Sequence, residues 1–239
     1  MKTLSLLDFF STTGYDWRKD EEVIKTICHY TKTRVDPKAK GIKLCWGFEQ
    51  TFLVKAVAEW VGAEMLFEIG TGRGTADYAV SLVPSIKEIY TVDLLEFKQK
   101  FSTAIGYKQA VVSLKDIRDL IPFEEKRKVM FNTRNNLPAL SKKISGKCDL
   151  AFIDGDHTNK KTILEDFKYC KEVLKKDGII LWDDYDPDQF AVKEVVDKLL
   201  LENPSYDAVL VEQRGHLFTD KPAEKDRGVV IMKFGKLGL

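Results

Sequence analysis

The chain predicts an α/β fold: a doubly wound, mostly parallel seven-stranded sheet with an N-terminal helical cap. Three observations carry this. Short apolar runs alternate with helix-spaced apolar patterns, glycines and aspartates gather where the apolar runs stop, and no repeat or low-complexity tract breaks the alternation. In such sheets ligands bind beyond the carboxyl ends of the strands, so the ends of the runs are where chemistry is expected.

Taken in order, residues 1–45 are mixed and charged. Val23, Ile24, Ile27 and Cys28 fall on one face of a helical pattern, and the segment reads as a cap appended to a main domain over 46–239. Residues 49–61 place Phe52, Leu53, Ala56, Val57 and Trp60 at helical spacing, and residues 65–69 form the first strand-like run. Further runs at 89–92, 129–131, 150–153 and 179–182 have the unbroken apolar character of strands buried on both faces. Between the last two, Ile163, Phe167, Cys170 and Leu174 define a helix opened by Thr158 or Asn159 and closed by Asp177-Gly178, which makes a βαβ crossover. A helix carrying Ala191, Val192, Val195, Val196, Leu199 and Leu200 ends before Pro204, and runs at 208–211 and 229–234 complete seven strands.

Composition sets the outer bounds. With 239 residues and 44% apolar content the chain can bury a large core, and 38 basic against 37 acidic residues give no overall field to draw it onto nucleic acid. The basic stretch from Lys126 to Lys147 reads as a solvated face. Cys28, Cys45, Cys148 and Cys170 form no C-x-x-C pair, which argues against a zinc knuckle or disulfide framework and for a reducing compartment. The apolar segment at residues 4–10 is short and broken by Asp8, and nothing approaches the roughly 20 apolar residues of a membrane span. A soluble, cytoplasmic protein is expected.

The first run ends Phe67-Glu68-Ile69-Gly70-Thr71-Gly72-Arg73-Gly74, and the second ends at Asp93, nineteen residues beyond Gly74. Glycines let the backbone turn sharply against a ligand, and a carboxylate on the neighbouring strand can accept both hydroxyl hydrogens of a ribose. A dinucleotide site wants a third glycine where this chain has Thr75. Further along, the fourth run ends Ile153-Asp154-Gly155-Asp156-His157 and the fifth Trp182-Asp183-Asp184-Tyr185. Neighbouring strands lie about 5 Å apart, so Asp154 can approach the Asp183-Asp184 pair. Close carboxylates must share protons, gain cationic partners or bind a metal, and an all-oxygen set favours a hard ion such as Mg²⁺.

The E-x-G-x-G-x-G segment resembles the first motif of class I S-adenosylmethionine-dependent methyltransferases, and the resemblance spans roughly residues 49–234. It implies a Rossmann-like sheet with Glu68, Gly70, Thr71, Gly72 and Gly74 forming the cofactor loop, Asp154 beside it and Asp93 on the ribose. It also implies an adenine-contacting polar residue after the third strand; Asn135 is the choice, with Arg134 and Asn136 as alternatives. The I-D-G-D-H and D-D-Y segments resemble cation-dependent O-methyltransferases of the macrocin and sugar-modifying kind. That resemblance implies metal ligation by Asp154, Asp183 and Asp184, Lewis-acid activation of an acceptor hydroxyl, and proton removal by Asp156 or His157. As a base, Asp156 needs its pKa raised, whereas histidine titrates near neutrality. The partner implied is a small hydroxylated acceptor such as a sugar or polyol, with no nucleic acid or membrane, and a homo-oligomer is compatible.

Rival expectations are an NAD-dependent oxidoreductase on a related sheet and a non-catalytic nucleoside-binding module. Asp184-Tyr185-Asp186-Pro187 matches poorly the D-P-P-Y segment of enzymes that methylate flipped bases. Tyr15, Trp17, Trp46 and Phe48 could line an acceptor pocket but read more readily as packing, as does Trp182. His29 reads as structural, and Arg214 and His216 sit in a surface loop.

Overall fold

A computed structural model describes residues 1–20, 23, 49–72, 74–105, 108–120, 123–186, 188, 190–213 and 227–239. The remaining residues of the expected N-terminal helix, together with Cys28, His29, Cys45, Trp46, Phe48, Arg73, Pro187, Arg214 and His216, lie outside the described residues.

The seven expected strands are all present and an eighth joins them. In chain order the strands of the main sheet are β1 (Lys2–Ser5), β2 (Met65–Ile69), β3 (Glu88–Asp93), β6 (Val129–Thr133), β7 (Cys148–Ile153), β8 (Leu174–Tyr185), β9 (Tyr206–Gln213) and β10 (Arg227–Phe234). Their spatial order is β1-β9-β10-β8-β7-β2-β3-β6, and only β10 runs antiparallel to its neighbours. The extra strand lies in the segment expected as a cap: Lys2 to Ser5 pair in parallel with Val209 to Glu212. Four residues without apolar alternation give little strand signal, and their pairing is set by the sheet they join.

Apolar runs buried on both faces explain why strands could be read as continuous hydrophobic stretches. Along β8, Ile179 and Leu181 face one core while Ile180 and Trp182 face the other. The first core is closed by helices α1 (Leu6–Thr13), α2 (Glu49–Val61) and α3 (Thr75–Ser81), with Leu6, Phe9, Phe52, Leu53 and Val80 among its members. Ser5 caps α1 by accepting from the amide of Asp8, and Gly14 ends it at φ 75°. Tyr15, Trp17 and Trp60 pack against this core; Tyr15 meets Phe10 edge-on at 4.8 Å. The second core takes α6 (Leu137–Lys143), α7 (Lys160–Val173) and α8 (Val192–Glu202), and Trp182 stacks on Phe167 at 5.7 Å.

The connection from β3 to β6 contains an antiparallel ribbon, β4 (Lys100–Ile105) with β5 (Lys108–Ser113), and two short helices, α4 (Leu114–Leu120) and α5 (Phe123–Lys126). Helix α7 begins as expected, with the Asn159 side chain accepting from the amides of Lys161 and Thr162, but it ends earlier than Asp177-Gly178. Leu174 turns extended at φ −73°, ψ 142° and bridges to Cys148, so pairing with β7 displaces the last turn of helix. Cys148 and Cys170 are free and buried, and no helix among the described residues is long and apolar enough to cross a membrane.

Leu6 is fully buried between sheet and helices. Leu6→Ala should lower unfolding free energy by about 2–5 kcal/mol, read by urea titration. A change under about 0.5 kcal/mol would mean that α1 does not share the main core.

Candidate active site

The loop after β2 is shaped by contacts that only glycine permits. Gly70 has φ 102°, and a Cβ there would lie 1.9 Å from the carbonyl oxygen of Asp154. The Gly70 amide donates to the Val92 carbonyl at 2.8 Å, and the Asp154 amide donates to that of Ile69 at 2.9 Å. Three strand ends are thereby stitched together. Gly72, at φ 47°, donates its amide to Asp93 Oδ2 at 2.9 Å, while the Leu95 amide donates to Oδ1 at 2.9 Å. Gly74, at φ 64°, is the N-cap residue of α3.

Beneath the loop lies a buried polar chain. Thr71 Oγ1 is 2.6 Å from Thr91 Oγ1, and Thr91 donates to Glu68 Oε2 at 2.6 Å, so Thr71 is the donor to Thr91. Glu68 and Asp77 are both buried carboxyls. Burial, followed by the negative charge of Asp77, pushes the Glu68 carboxyl well above its ordinary range. Burial raises Asp77 to about 6, against the lowering influence of the neighbouring Glu68 and Thr91. Of the two, Glu68 is the carboxyl held further above its ordinary range. Asp77 was not anticipated: in the first turn of α3 it reads as an ordinary helix-dipole partner.

Two cavities open on this edge. The larger, of about 440 Å³, is lined by Gly70, Gly72, Asp93, Arg134, Asp154 and Asp156 among others. The smaller, of about 160 Å³, is lined by Gln50, Glu68, Thr71, Thr75 and Asp154, and also by Gly70 and Gly72. Gln50 Nε2 donates to Asp154 Oδ2 at 3.2 Å. The first position of α2 beyond Glu49 gave no signal of this in the sequence. Thr75, in place of a third glycine, has its hydroxyl 3.1 Å from that of Thr51.

The carboxylates sort differently from expectation. Asp154, His157 and Asp184 form a group whose ligand atoms lie within 4.8 Å of one another, and Asp183 is not part of it. Alternation along β8 breaks at this point, since Trp182 and Tyr185 both pack in the second core. Asp184, at φ 56°, is the one non-glycine residue with positive φ among the described residues, a conformation that aspartate tolerates better than most. Its Oδ2 lies 2.8 Å from His157 Nδ1, while His157 Nε2 is 3.9 Å from Asp154 Oδ1. Phe190 lies against the imidazole at 5.2 Å. Asp156 Oδ1 accepts from the Thr158 amide at 2.8 Å, the Asn159 amide at 3.0 Å and the Thr158 hydroxyl at 3.0 Å. The two backbone amides lead in holding its carboxyl below the usual range, the opposite of what a base needs. Asn135 is exposed on a single 3-10 turn, and its neighbour Arg134 is the residue that lines the larger cavity.

Residues 67–185 match the model of a methyltransferase domain family. No curated protein sequence matches the chain. Among solved structures, the O-methyltransferase TomG of Streptomyces achromogenes, which takes part in tomaymycin synthesis and was solved with S-adenosylmethionine, is similar at a TM-score of 0.60 and 16% identity over 91% of each chain. An O-methyltransferase from Bacillus cereus with S-adenosylhomocysteine has a TM-score of 0.57 and 13% identity, covering 96% of this chain and 99% of its own. A putative caffeoyl-CoA O-methyltransferase from Staphylococcus aureus has a TM-score of 0.57 and 16% identity, covering 96% of this chain and 97% of its own. Fold, glycine loop and family match together define a Rossmann-like methyltransferase. These are the features of a class I S-adenosylmethionine-dependent methyltransferase.

Because the buried acids hold protons more tightly when folded, the native state binds more protons than the unfolded one. Stability therefore falls as pH rises from the ordinary carboxylate range through the folded values. Glu68→Gln keeps an acceptor for the Thr91 hydroxyl without the ionisable group. Its melting temperature should fall less than the parent's between about pH 5 and about pH 8; equal slopes would show that the pair is not proton-linked. Gly70→Ala, forced against Asp154, should cost more than about 2 kcal/mol and weaken S-adenosylhomocysteine binding, measured by melting and calorimetry.

Proposed function

We propose that the chain transfers the S-methyl group of S-adenosylmethionine to a hydroxyl oxygen of a small acceptor, such as a sugar or polyol, with a divalent cation assisting. The observation that carries this reading is the gathering of Asp154, His157 and Asp184 at the strand edge where the glycine loop lies, with Asp154 lining both cavities. That the structural neighbours are O-methyltransferases favours an oxygen acceptor over nitrogen or carbon. The oxidoreductase and binding-module alternatives are not favoured beside the methyltransferase match. We place the activity in the cytoplasm, in keeping with the buried free thiols of Cys148 and Cys170.

The donor set suits a cation: two carboxylates and an imidazole, spaced within 4.8 Å, make a mixed oxygen and nitrogen set that fits Mn²⁺ or a similar divalent ion better than Mg²⁺, which favours oxygen alone. Asp154, His157 and Asp184 would hold it, and when bound it lowers the pKa of the acceptor hydroxyl. The chain's own residues supply position. The loop backbone and Asp93 hold the cofactor, the Glu68–Thr91–Thr71 chain stiffens the loop, and Asp184 and Phe190 fix the plane of His157. Correct alignment of oxygen and methyl carbon contributes much of the acceleration in such transfers.

The 2.8 Å contact of His157 with Asp184 favours a second way of activating the same hydroxyl. With Nδ1–H held by Asp184, Nε2 faces Asp154 and takes the hydroxyl proton directly. Asp156, held acidic by the turn it closes, is the weaker candidate for that step.

Calorimetry should show S-adenosylhomocysteine binding and no NAD binding; the reverse result would reject the methyltransferase reading. In a labelled-methyl screen over hydroxylated acceptors, EDTA should abolish transfer and a divalent ion, Mn²⁺ or Mg²⁺, restore it. Asp184→Ala should lower turnover by about 10- to 100-fold with cofactor affinity largely kept. Full turnover in chelator would assign activation to His157 instead, and His157→Ala would then remove it.

A further inference from the structure

The carboxylate that meets His157 is aimed by an irregularity in the sheet. Gly228 of β10 stands opposite Tyr185 and Val230 opposite Trp182, so Asp183 and Asp184 together face the single residue Val229. This is a β-bulge, which bends a strand and re-aims a side chain. The left-handed backbone of Asp184, at φ 56°, lies within it. A non-glycine residue keeps such a conformation only where its surroundings hold it there.

Both neighbours of the bulge are held. Trp182 is wholly buried and stacked on Phe167. Tyr185 is buried too, and its hydroxyl donates to Asp197 Oδ1 at 2.6 Å, on the second turn of α8. Asp197 pairs in turn with Lys193, one turn earlier in the same helix, whose Nζ lies 5.3 Å from the centre of the Tyr185 ring. The Asp186 amide closes the corner by donating to the Asp184 carbonyl at 2.8 Å.

The same helix holds His157. Ala191, which opens α8, donates its amide to the His157 carbonyl at 2.8 Å, just after Phe190 has met the imidazole. Helix α8 therefore grips the His157–Asp184 contact from two points, through the backbone at its start and through Tyr185 further along. A hydroxyl donating to a carboxylate is one of the stronger side-chain hydrogen bonds, and this one takes no part in the transfer itself.

We propose, on the reading that Asp154, His157 and Asp184 activate the acceptor hydroxyl, that Tyr185 and Asp197 are positioning residues: their hydrogen bond holds Asp184 in the bulge and so keeps its carboxylate on His157 and beside Asp154. Loss of the bond frees the Asp184 backbone to relax, and the carboxylate leaves the imidazole.

The full chain, free of acceptor, tests this. In alkaline buffer, where the imidazole is neutral, the ¹⁵N spectrum of His157, assigned by its loss in His157→Gln, should show the Nδ1–H tautomer in the parent and mixed tautomers in Tyr185→Phe. Calorimetry with Mn²⁺ alone should show affinity falling by about tenfold or more in Tyr185→Phe, as when a partner of a metal ligand is removed. S-adenosylhomocysteine binding should hold, because the glycine loop and Asp93 are untouched. Asp197→Ala should repeat both losses, whereas Asp197→Asn, which keeps an oxygen for the hydroxyl, should largely restore the parent. Thermal melts verify folding. A folded Tyr185→Phe that melts lower yet keeps the parent's tautomer and Mn²⁺ affinity would overturn the proposal and leave the bond as packing. Asp197→Asn falling as far as Asp197→Ala would overturn it too, by assigning the effect to the Lys193 pair. A parent that binds S-adenosylhomocysteine but no Mn²⁺ would reject the cation alone, and the tautomer comparison would then decide for or against Tyr185.

Discussion

The approach of Gly70 to the Asp154 carbonyl is the contact on which the rest of the site depends. A methyl group placed there would overlap the oxygen at 1.9 Å, so the end of β2 and the end of β7 can meet this closely only with glycine at this position. That approach puts the glycine loop and the Asp154 carboxylate on one rim. Asp93, reached through the Gly72 amide, joins the third strand end to the same rim. The chemistry is assembled from residues far apart in the chain because parallel strands deliver their carboxyl ends to one edge.

How much of this could be read beforehand depended on how local each signal was. The strands of the main sheet from β2 onward were legible because burial on both faces leaves unbroken apolar runs, and α8 was legible from its spacing of valines and leucines. β1 was not, because four mixed residues become a strand only through pairing with Val209 to Glu212. The ribbon of β4 and β5 was likewise hidden in a connection that announced itself only by its length. Early termination of α7 followed from competition: Leu174 gains a bridge to Cys148 that the helical pattern does not encode.

Within the site, the residue types were legible and their partners were not. Glu68, Gly70, Gly72, Asp93 and Asp154 lie together on the carboxyl edge that the motif spacing indicated. The choice between Asp183 and Asp184 depended on the left-handed backbone at Asp184, which breaks the strand alternation and which no spacing reveals. The tie between Gln50 and Asp154 spans 104 positions, and that between Arg134 and Asp166 spans 32. Such pairings follow from the packing of α2 and α7 against the sheet rather than from any neighbouring residues. Asp77 illustrates the same limit, since its meaning lies in the buried carboxyl it faces across the loop.

The positive φ of Asp184 narrows what evolution or design can place at the end of β8. Asparagine and glycine enter a left-handed turn at little cost, whereas valine, isoleucine and threonine are resisted by their branched carbons. Homologues that diverge at this corner are therefore expected to draw from a very short alphabet, and a library built there gains little from full randomisation.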